Sequence, residues 1–356
     1  MKLYTCANCS NPVYFENNVC LVCGHALGFD IESLSIRSLA LKPGGEYNDL
    51  KVAEKNYRYC ANSSHGTCNW LVPLESPETL CLACSFNRTI PSLDKSENLK
   101  RWKKIENAKH RLIYSLLRLK LPLKPKAAEE DSGLYFDFLE NLNEEARVLT
   151  GHANGTITLN IEEASEAERV RHKLDLGEKY RTLLGHFRHE IGHYYWELLI
   201  KDKPVIGAYR KIFGDERKDY GQALEQYYDS GAPENWNDHY ISPYATAHSW
   251  EDWAETWSHY LHLMDTLETA YAFGTTIKPY KLKEQEEMQA EVRTDPYRSR
   301  DFEEIFKMWL PITFAFNSIN RSMGHDDFYP FVISAVVKEK LNFIHNICAE
   351  IRFKNC

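Results

Sequence analysis

Eight of the ten cysteines in this 356-residue chain fall before Asn87, and they form two quartets. The first is a pair of CxxC knuckles, Cys6-Ala7-Asn8-Cys9 and Cys20-Leu21-Val22-Cys23, separated by a stretch that reads as a hairpin, Asn11 to Phe15 before Asn17-Asn18. Each knuckle lets two thiolates reach one ion from a single tight turn. Two such turns close a tetrahedral four-thiolate zinc site with no open position for chemistry. The second quartet is Cys60, Cys68, Cys81 and Cys84; only its last pair is CxxC, and His65 is a candidate to replace Cys60 or Cys68. A segment this small and loop-rich needs metal staples to fold. Residues 1–90 are therefore expected to be a zinc-ribbon head holding two structural zinc ions. The other two cysteines, Cys348 and Cys356, read as a core thiol and a frayed chain end.

Clustered thiols at a density far below that of a disulfide scaffold point to metal ligation in a reducing compartment. No apolar run approaches the roughly 18 residues of a membrane helix, and Met1-Lys2-Leu3 leads into the first knuckle without a signal-peptide core. A cytoplasmic protein is expected, with no membrane segment. The 43 Lys+Arg against 51 Asp+Glu leave a net charge of −8, and the head lacks a dense Lys/Arg stripe. Both argue against nucleic acid as a partner and favour protein docking as any second role of the head.

After a linker at Pro91 to Asp94, apolar residues from Leu99 to Leu119 recur at helical spacing and predict a long amphipathic helix, stopped by Pro122 and Pro125. Asn154-Gly155 marks a hairpin turn before an alternating strand, Thr156 to Ile161. Helices are expected at Glu162 to Leu174, Gly177 to Ile200, Phe306 to Ile319 and Val332 to Ile351, with a charged stretch from Lys281 to Asp301. The fold class is α+β, a zinc-ribbon head followed by a mainly helical zincin-type domain with a small sheet. The expected divisions are a head at 1–90, a catalytic domain at 95–275 and a helical subdomain at 276–356.

The helix ending at Ile200 carries His189-Glu190-Ile191-Gly192-His193, an HExxH. Residues four apart share a helix face, so both imidazoles can ligate one zinc ion while Glu190 leans toward its water as general base. The apolar flanks Leu183, Leu184, Phe187, Ile191, Tyr195, Leu198 and Leu199 make this a buried helix. A buried HExxH without metal would strand polar groups in apolar surroundings. The metzincin third ligand is excluded, because Trp196 and Leu199 occupy its glycine and histidine places. A later acid is the alternative, and Glu251 and Glu255 lie four apart in Trp250-Glu251-Asp252-Trp253-Ala254-Glu255-Thr256-Trp257. One can bind metal while the other accepts the N–H of a ligating histidine. His248 and His259 are further candidates, and an ordinary capped helix start at Ser249 is the plain alternative. His186, Asp215, Glu216 and His262 read as structural.

Together with the cysteine-rich head, Thr150 to Gly155, Leu184 to Trp196, Phe213 to Glu216 and Trp250 to Trp257 resemble the bacterial zinc-binding metallopeptidases with an N-terminal zinc ribbon. The likeness spans nearly the whole chain. It implies a reaction class, peptidase, and names no particular substrate. With the quartets read from spacing, the expected cofactors are one catalytic and two structural zinc ions, and the expected partner is a peptide or protein substrate. A more distant likeness is to gluzincins of the lethal-factor type, whose metal-binding glutamate opens an ExxAE helix seven residues after a catalytic tyrosine. That resemblance implies Glu251 as the third ligand, Glu255 as the acid that orients a histidine, and Tyr244 as the group supporting the oxyanion or protonating the leaving amine. Tyr240 and His248 are substitutes for Tyr244. Ser249 departs from the family's proline. Two other functions stay open on the sequence. One is a zinc-ribbon regulatory protein that binds nucleic acid or a partner, with the HExxH used for sensing or for cleaving one regulator; the other is a non-peptidic zinc amidohydrolase.

Overall fold

Turns closed by the backbone shape the cysteine knuckles: Ser10 N donates to Cys6 O at 2.9 Å and Gly24 N to Cys20 O at 2.8 Å. On either side of the first knuckle, strands β1 (Tyr4–Thr5) and β2 (Pro12–Val13) pair antiparallel, with Tyr4 opposite Val13. The computed structural model describes residues 2–141, 148–166, 182–281 and 285–354. Cα packing divides the chain into two units: Lys2–Tyr114 with Leu123–Arg171, and Ser115–Pro122 with His172–Cys356. The class is α+β, with the ribbon first and a largely helical domain after it.

In the first unit, five strands follow the knuckles: β3 (Ala26–Asp30), β4 (Ser35–Leu41), β5 (Tyr47–Asp49), β6 (Asn56–Tyr59) and β7 (Leu71–Pro73). They pair antiparallel in chain order, and a bridge between Phe29 and Trp70 joins the first strand to the start of the last. Phe29 and Trp70, both fully buried with ring centroids 4.6 Å apart, fill the centre. This sheet was not expected from the sequence, because its strands are short and polar residues stand among the buried ones.

A short helix α1 (Leu82–Ser85) carries the last CxxC, and the expected long helix is α2 (Ser96–Arg118). A second sheet runs in the order β10 (Gly151–Ala153), β11 (Thr156–Asn160), β9 (Tyr135–Leu139), β8 (Asn87–Thr89). The expected turn joins β10 to β11, with Asn154 at φ 48° and Gly155 at φ 71°, the two positive φ values that a two-residue hairpin demands. Packing thus joins the cysteine-rich segment to residues beyond 90, because β8 and β9 are parallel neighbours. Ile161–Ala164 forms a single 3-10 turn where a helix was expected; the rest of that helix, the expected start at Gly177 and Cys356 lie outside the described residues.

The second unit is built on α3 (Leu183–Leu199), α4 (Ile206–Phe213), α5 (Tyr220–Ser230), α6 (Ser249–Ala272), α7 (Phe302–Ser322) and α8 (Ala335–Lys354). A two-stranded ribbon, β12 (Thr276–Ile277) with β13 (Ala290–Glu291), precedes α7. Helices α3 and α6 form its centre. Tyr195 of α3 stacks on Trp257 of α6 with centroids 5.0 Å apart, and Trp253 Nε1 donates to Gly192 O at 2.9 Å. Buried charges lock the pair: Arg188 of α3 bonds Asp265 of α6, which also accepts from Ser115 Oγ at 2.7 Å and Tyr297 OH at 2.6 Å. Lys340 of α8 bonds Asp252 of α6 and the His239 carbonyl, both at 2.6 Å.

At Gly192 the two helices approach closely. A Cβ there would lie 3.0 Å from Ala254 Cα and 3.2 Å from Trp257 Cβ. Both neighbours belong to a buried helix, so relief requires the helices to part. The Gly192→Ala chain should unfold at lower urea, destabilised by about 1–3 kcal/mol as overpacked cores are. An unchanged midpoint would mean that the contact is softer than described.

Candidate metal centre

Helix α3 starts where Thr182 Oγ1 accepts from Gly185 N at 2.9 Å, an N-cap that fixes the phase of the helix. One turn apart on its face, His189 and His193 bring their Nε2 atoms to 3.2 Å of each other. Glu251, in the first turn of α6, completes a triangle: its Oε2 lies 3.1 Å from His189 Nε2 and 3.5 Å from His193 Nε2. A tetrahedral zinc ion with N and O ligands at about 2.0–2.2 Å holds those atoms roughly 3.3–3.5 Å apart. The triangle therefore has the size that such an ion requires. Its members are buried, with His189 8%, His193 4% and Glu251 1% exposed.

The polar partners of the triangle also fit a cation. His189 Nδ1 lies 2.7 Å from Glu255 Oε1, so Nδ1–H donates outward and Nε2 is the nitrogen turned to Glu251. Glu255 is held in turn by Ser242 Oγ, which donates to its Oε2 at 2.6 Å. Tyr220 OH donates to Glu251 Oε1 at 2.6 Å. The other carboxylate oxygen, Oε2, is buried and receives no hydrogen bond from any described residue. Burial opposes charge on these groups, yet their mutual attraction prevails. His189 is held well above the ordinary imidazole range by Glu251 and Glu255. Glu251 lies well below the usual carboxylate range under the influence of His193 and His189. Glu255 is brought down to about 2, chiefly by its bond to His189. The carboxylates that favour a proton on His189 would equally favour a divalent cation among the three donor atoms, which would take that proton's place on Nε2.

Glu190 is buried on the same helix, 6% exposed. The Tyr244 ring lies 6.0 Å from that of His189 and 5.6 Å from that of Tyr227 on α5. Burial first, and then the charge of Glu251, push the Tyr244 phenol far above its ordinary value, with Glu190 adding to the effect. Tyr244 is thus a neutral O–H donor at physiological pH. Tyr220 is raised in the same way, by burial and then by Glu251.

The other candidates stand elsewhere. His248 caps α6, accepting from Trp250 N at 3.1 Å and donating to Lys218 O at 3.2 Å. Ser249 is then the first residue of the helix, a position at which proline is also accommodated. His259 bonds Tyr329 OH at 2.7 Å, and His262 meets Arg188 at 2.5 Å. Tyr240 takes the Lys340 ammonium over its ring at 4.3 Å. Asp215 pairs with Arg217 and Glu216 with Arg210. Tyr220, Ser242 and Arg188 were missed in the sequence. Their roles depend on contacts across 13 to 77 residues, which no local pattern announces.

In the head, the sulfurs of Cys6, Cys9, Cys20 and Cys23 lie within 4.8 Å of one another, as do those of Cys60, Cys68, Cys81 and Cys84. The pairs Cys6–Cys23 at 3.5 Å, Cys9–Cys20 at 3.6 Å and Cys68–Cys81 at 3.7 Å are close to the roughly 3.8 Å edge of a tetrahedral zinc–sulfur site. His65 is exposed and packs near Trp102, with centroids 5.8 Å apart, so it does not replace a cysteine. The imidazole beside the second quartet is His110, from α2, with Nε2 3.3 Å from Cys68 Sγ.

Residues 98–347 match the family described as "Putative zinc-binding metallo-peptidase", and residues 3–95 match a zinc-ribbon domain. Uncharacterized proteins of Mycobacterium bovis and Mycobacterium tuberculosis are each 40% identical over 352 residues, 99% of this chain and 96% of the relative. No solved structure matches the chain. The chain belongs to this zinc-binding metallopeptidase family and carries its zinc ribbon at the N-terminal side. No helix among the described residues is long and apolar enough to cross a membrane.

Replacing Glu255 by Ala removes the acceptor of His189 Nδ1–H. Zinc affinity at the triangle should fall by about 10–100-fold, the usual cost of losing such an outer partner, in a chelator competition. An unchanged affinity would show that His189 is oriented by other means.

Proposed function

We propose that the chain is a zinc-dependent peptidase of the gluzincin kind, with one catalytic ion held by His189, His193 and Glu251 and two structural ions held by the cysteine quartets. The observation that carries this reading is the convergence of three buried donor atoms with separations of 3.1, 3.2 and 3.5 Å. A zinc ion bound there supplies a Lewis acid that polarises a peptide carbonyl and lowers the pKa of a bound water to about 7. Glu190 accepts the proton of the attacking water and hands it to the leaving nitrogen. Tyr244, kept protonated by its surroundings, donates a hydrogen bond to the oxyanion of the tetrahedral intermediate. Glu255 and Ser242 hold His189, and Tyr220 holds Glu251, so that the donors need not reorganise during turnover. The substrate is a peptide or protein. The eight clustered thiols suit a reducing compartment, in which we place the chain as cytoplasmic.

The test is digestion of a peptide library by the zinc-loaded full chain beside its Glu190→Gln variant. The variant should keep its zinc content and lose at least about 100-fold in turnover, the lower range for general acid–base catalysis. Equal turnover by the variant would remove Glu190 from the chemistry. Cleavage of small non-peptide amides with no peptide cleaved would replace the peptidase reading by an amidohydrolase.

A further inference from the structure

The second cysteine quartet has a fifth donor. His110 is 4% exposed, and its Nδ1 is engaged by the Glu106 carbonyl at 2.6 Å. That bond uses the Nδ1 proton and turns Nε2 toward the sulfurs, 3.3 Å from Cys68 and 3.9 Å from Cys84. In a tetrahedral zinc site, a nitrogen at about 2.0 Å and a sulfur at about 2.3 Å stand roughly 3.5 Å apart. Nε2 thus already lies near the distance that a ligand would keep from two of the cysteines. The turn bearing it is rigid: Glu106 and Lys109 are fully buried and paired, and Glu106 also accepts from Trp102 Nε1 at 3.0 Å and Asn87 Nδ2 at 2.8 Å.

The four sulfurs are not equivalent. Cys60, Cys81 and Cys84 are buried, whereas Cys68 is half-buried. Cys68 and His110 together border a cleft of about 540 Å³, whose wall also includes Tyr47, Tyr59, Lys103 and Asn107. Cys60 and Cys68 each accept a backbone N–H on sulfur, from Cys81 at 3.3 Å and from Trp70 at 3.4 Å, so it is the cleft and not this bond that sets Cys68 apart. Of the quartet, Cys68 is the member that borders the cleft, and it is the one with an imidazole nitrogen 3.3 Å from its sulfur.

We propose that Cys68 is an exchangeable ligand and a modification site for small soft electrophiles, and that His110 Nε2 takes its place on the metal. The Cys68 thiolate forms a bond to the electrophilic carbon, and the leaving group departs with its electron pair. His110 then contributes a neutral lone pair, so the centre passes from four sulfurs to three sulfurs and one nitrogen and keeps its ion. The proposal rests on the second quartet holding zinc and is independent of the peptidase reading.

The experiment treats the zinc-loaded full chain with limiting iodoacetamide, which releases iodide, then counts zinc by native mass spectrometry and maps the modified peptide. Within the quartet, Cys68 should be modified before Cys60, Cys81 and Cys84, and the Cys68-modified chain should retain every zinc ion of the untreated one. In the His110→Ala chain, the same modification should cost one ion. Two serine variants give the same answer without His110→Ala: Cys68→Ser should keep the full complement, whereas Cys60→Ser should be one ion short. Loss of an ion on modification of wild-type Cys68, or from Cys68→Ser as from Cys60→Ser, would overturn the proposal. An untreated chain with no ion at the second quartet would also overturn it, and would leave the peptidase reading standing.

Discussion

The close approach of α3 and α6 at Gly192 is the constraint on which the centre depends. A side chain at Gly192 would press on Ala254 and Trp257, with a Cβ 3.0 Å from Ala254 Cα, and the same pair of helices brings Glu251 to both histidines. Bonds across the contact hold the register of the two helices. Trp253 reaches the Gly192 carbonyl, and Glu255 meets His189 one turn beyond Glu251. A slip of one residue would rotate each helix by about 100° and take the carboxylate away from the imidazoles.

Such a contact would be expensive if its charges stood alone. Arg188, Asp265, Asp252 and Lys340 are all buried, and each is answered from another segment of the same unit. Removing one partner of a buried pair costs about 3–5 kcal/mol, whereas the intact pair adds little net stability. Their contribution is therefore to specify which helix faces meet rather than to strengthen the core. The apolar mass for that core comes from Trp253, Trp257, Tyr195 and Tyr209, which are fully buried around the same crossing.

What could be read from the residues alone follows the range of the physics involved. The long helices, the Asn154-Gly155 turn and the i, i+4 relation of His189 to His193 are local, and local geometry leaves a periodic trace. The cysteine quartets were legible because three of their four halves are CxxC pairs, a spacing that carries the metal-site signature itself, and Cys60 and Cys68 lie close before the last of them. The five-stranded sheet over residues 26–73 left no such trace: its strands run three to seven residues, with polar residues among the buried ones. Tyr220, Ser242 and His110 were illegible for a different reason. Each acts on a partner that the fold brings near, and His110 stands 26 residues beyond the last cysteine of its quartet. His65, the nearer histidine in sequence, is instead exposed beside Trp102.

The account's central claim is that three side chains from two helices hold a metal ion apart from the ions of the head. Elemental analysis of the purified full chain and of its Glu251→Ala variant tests it most directly. Three zinc ions per wild-type chain and two in the variant are the expected result. Two ions in both would mean that the head binds all the zinc and that the triangle of His189, His193 and Glu251 holds none.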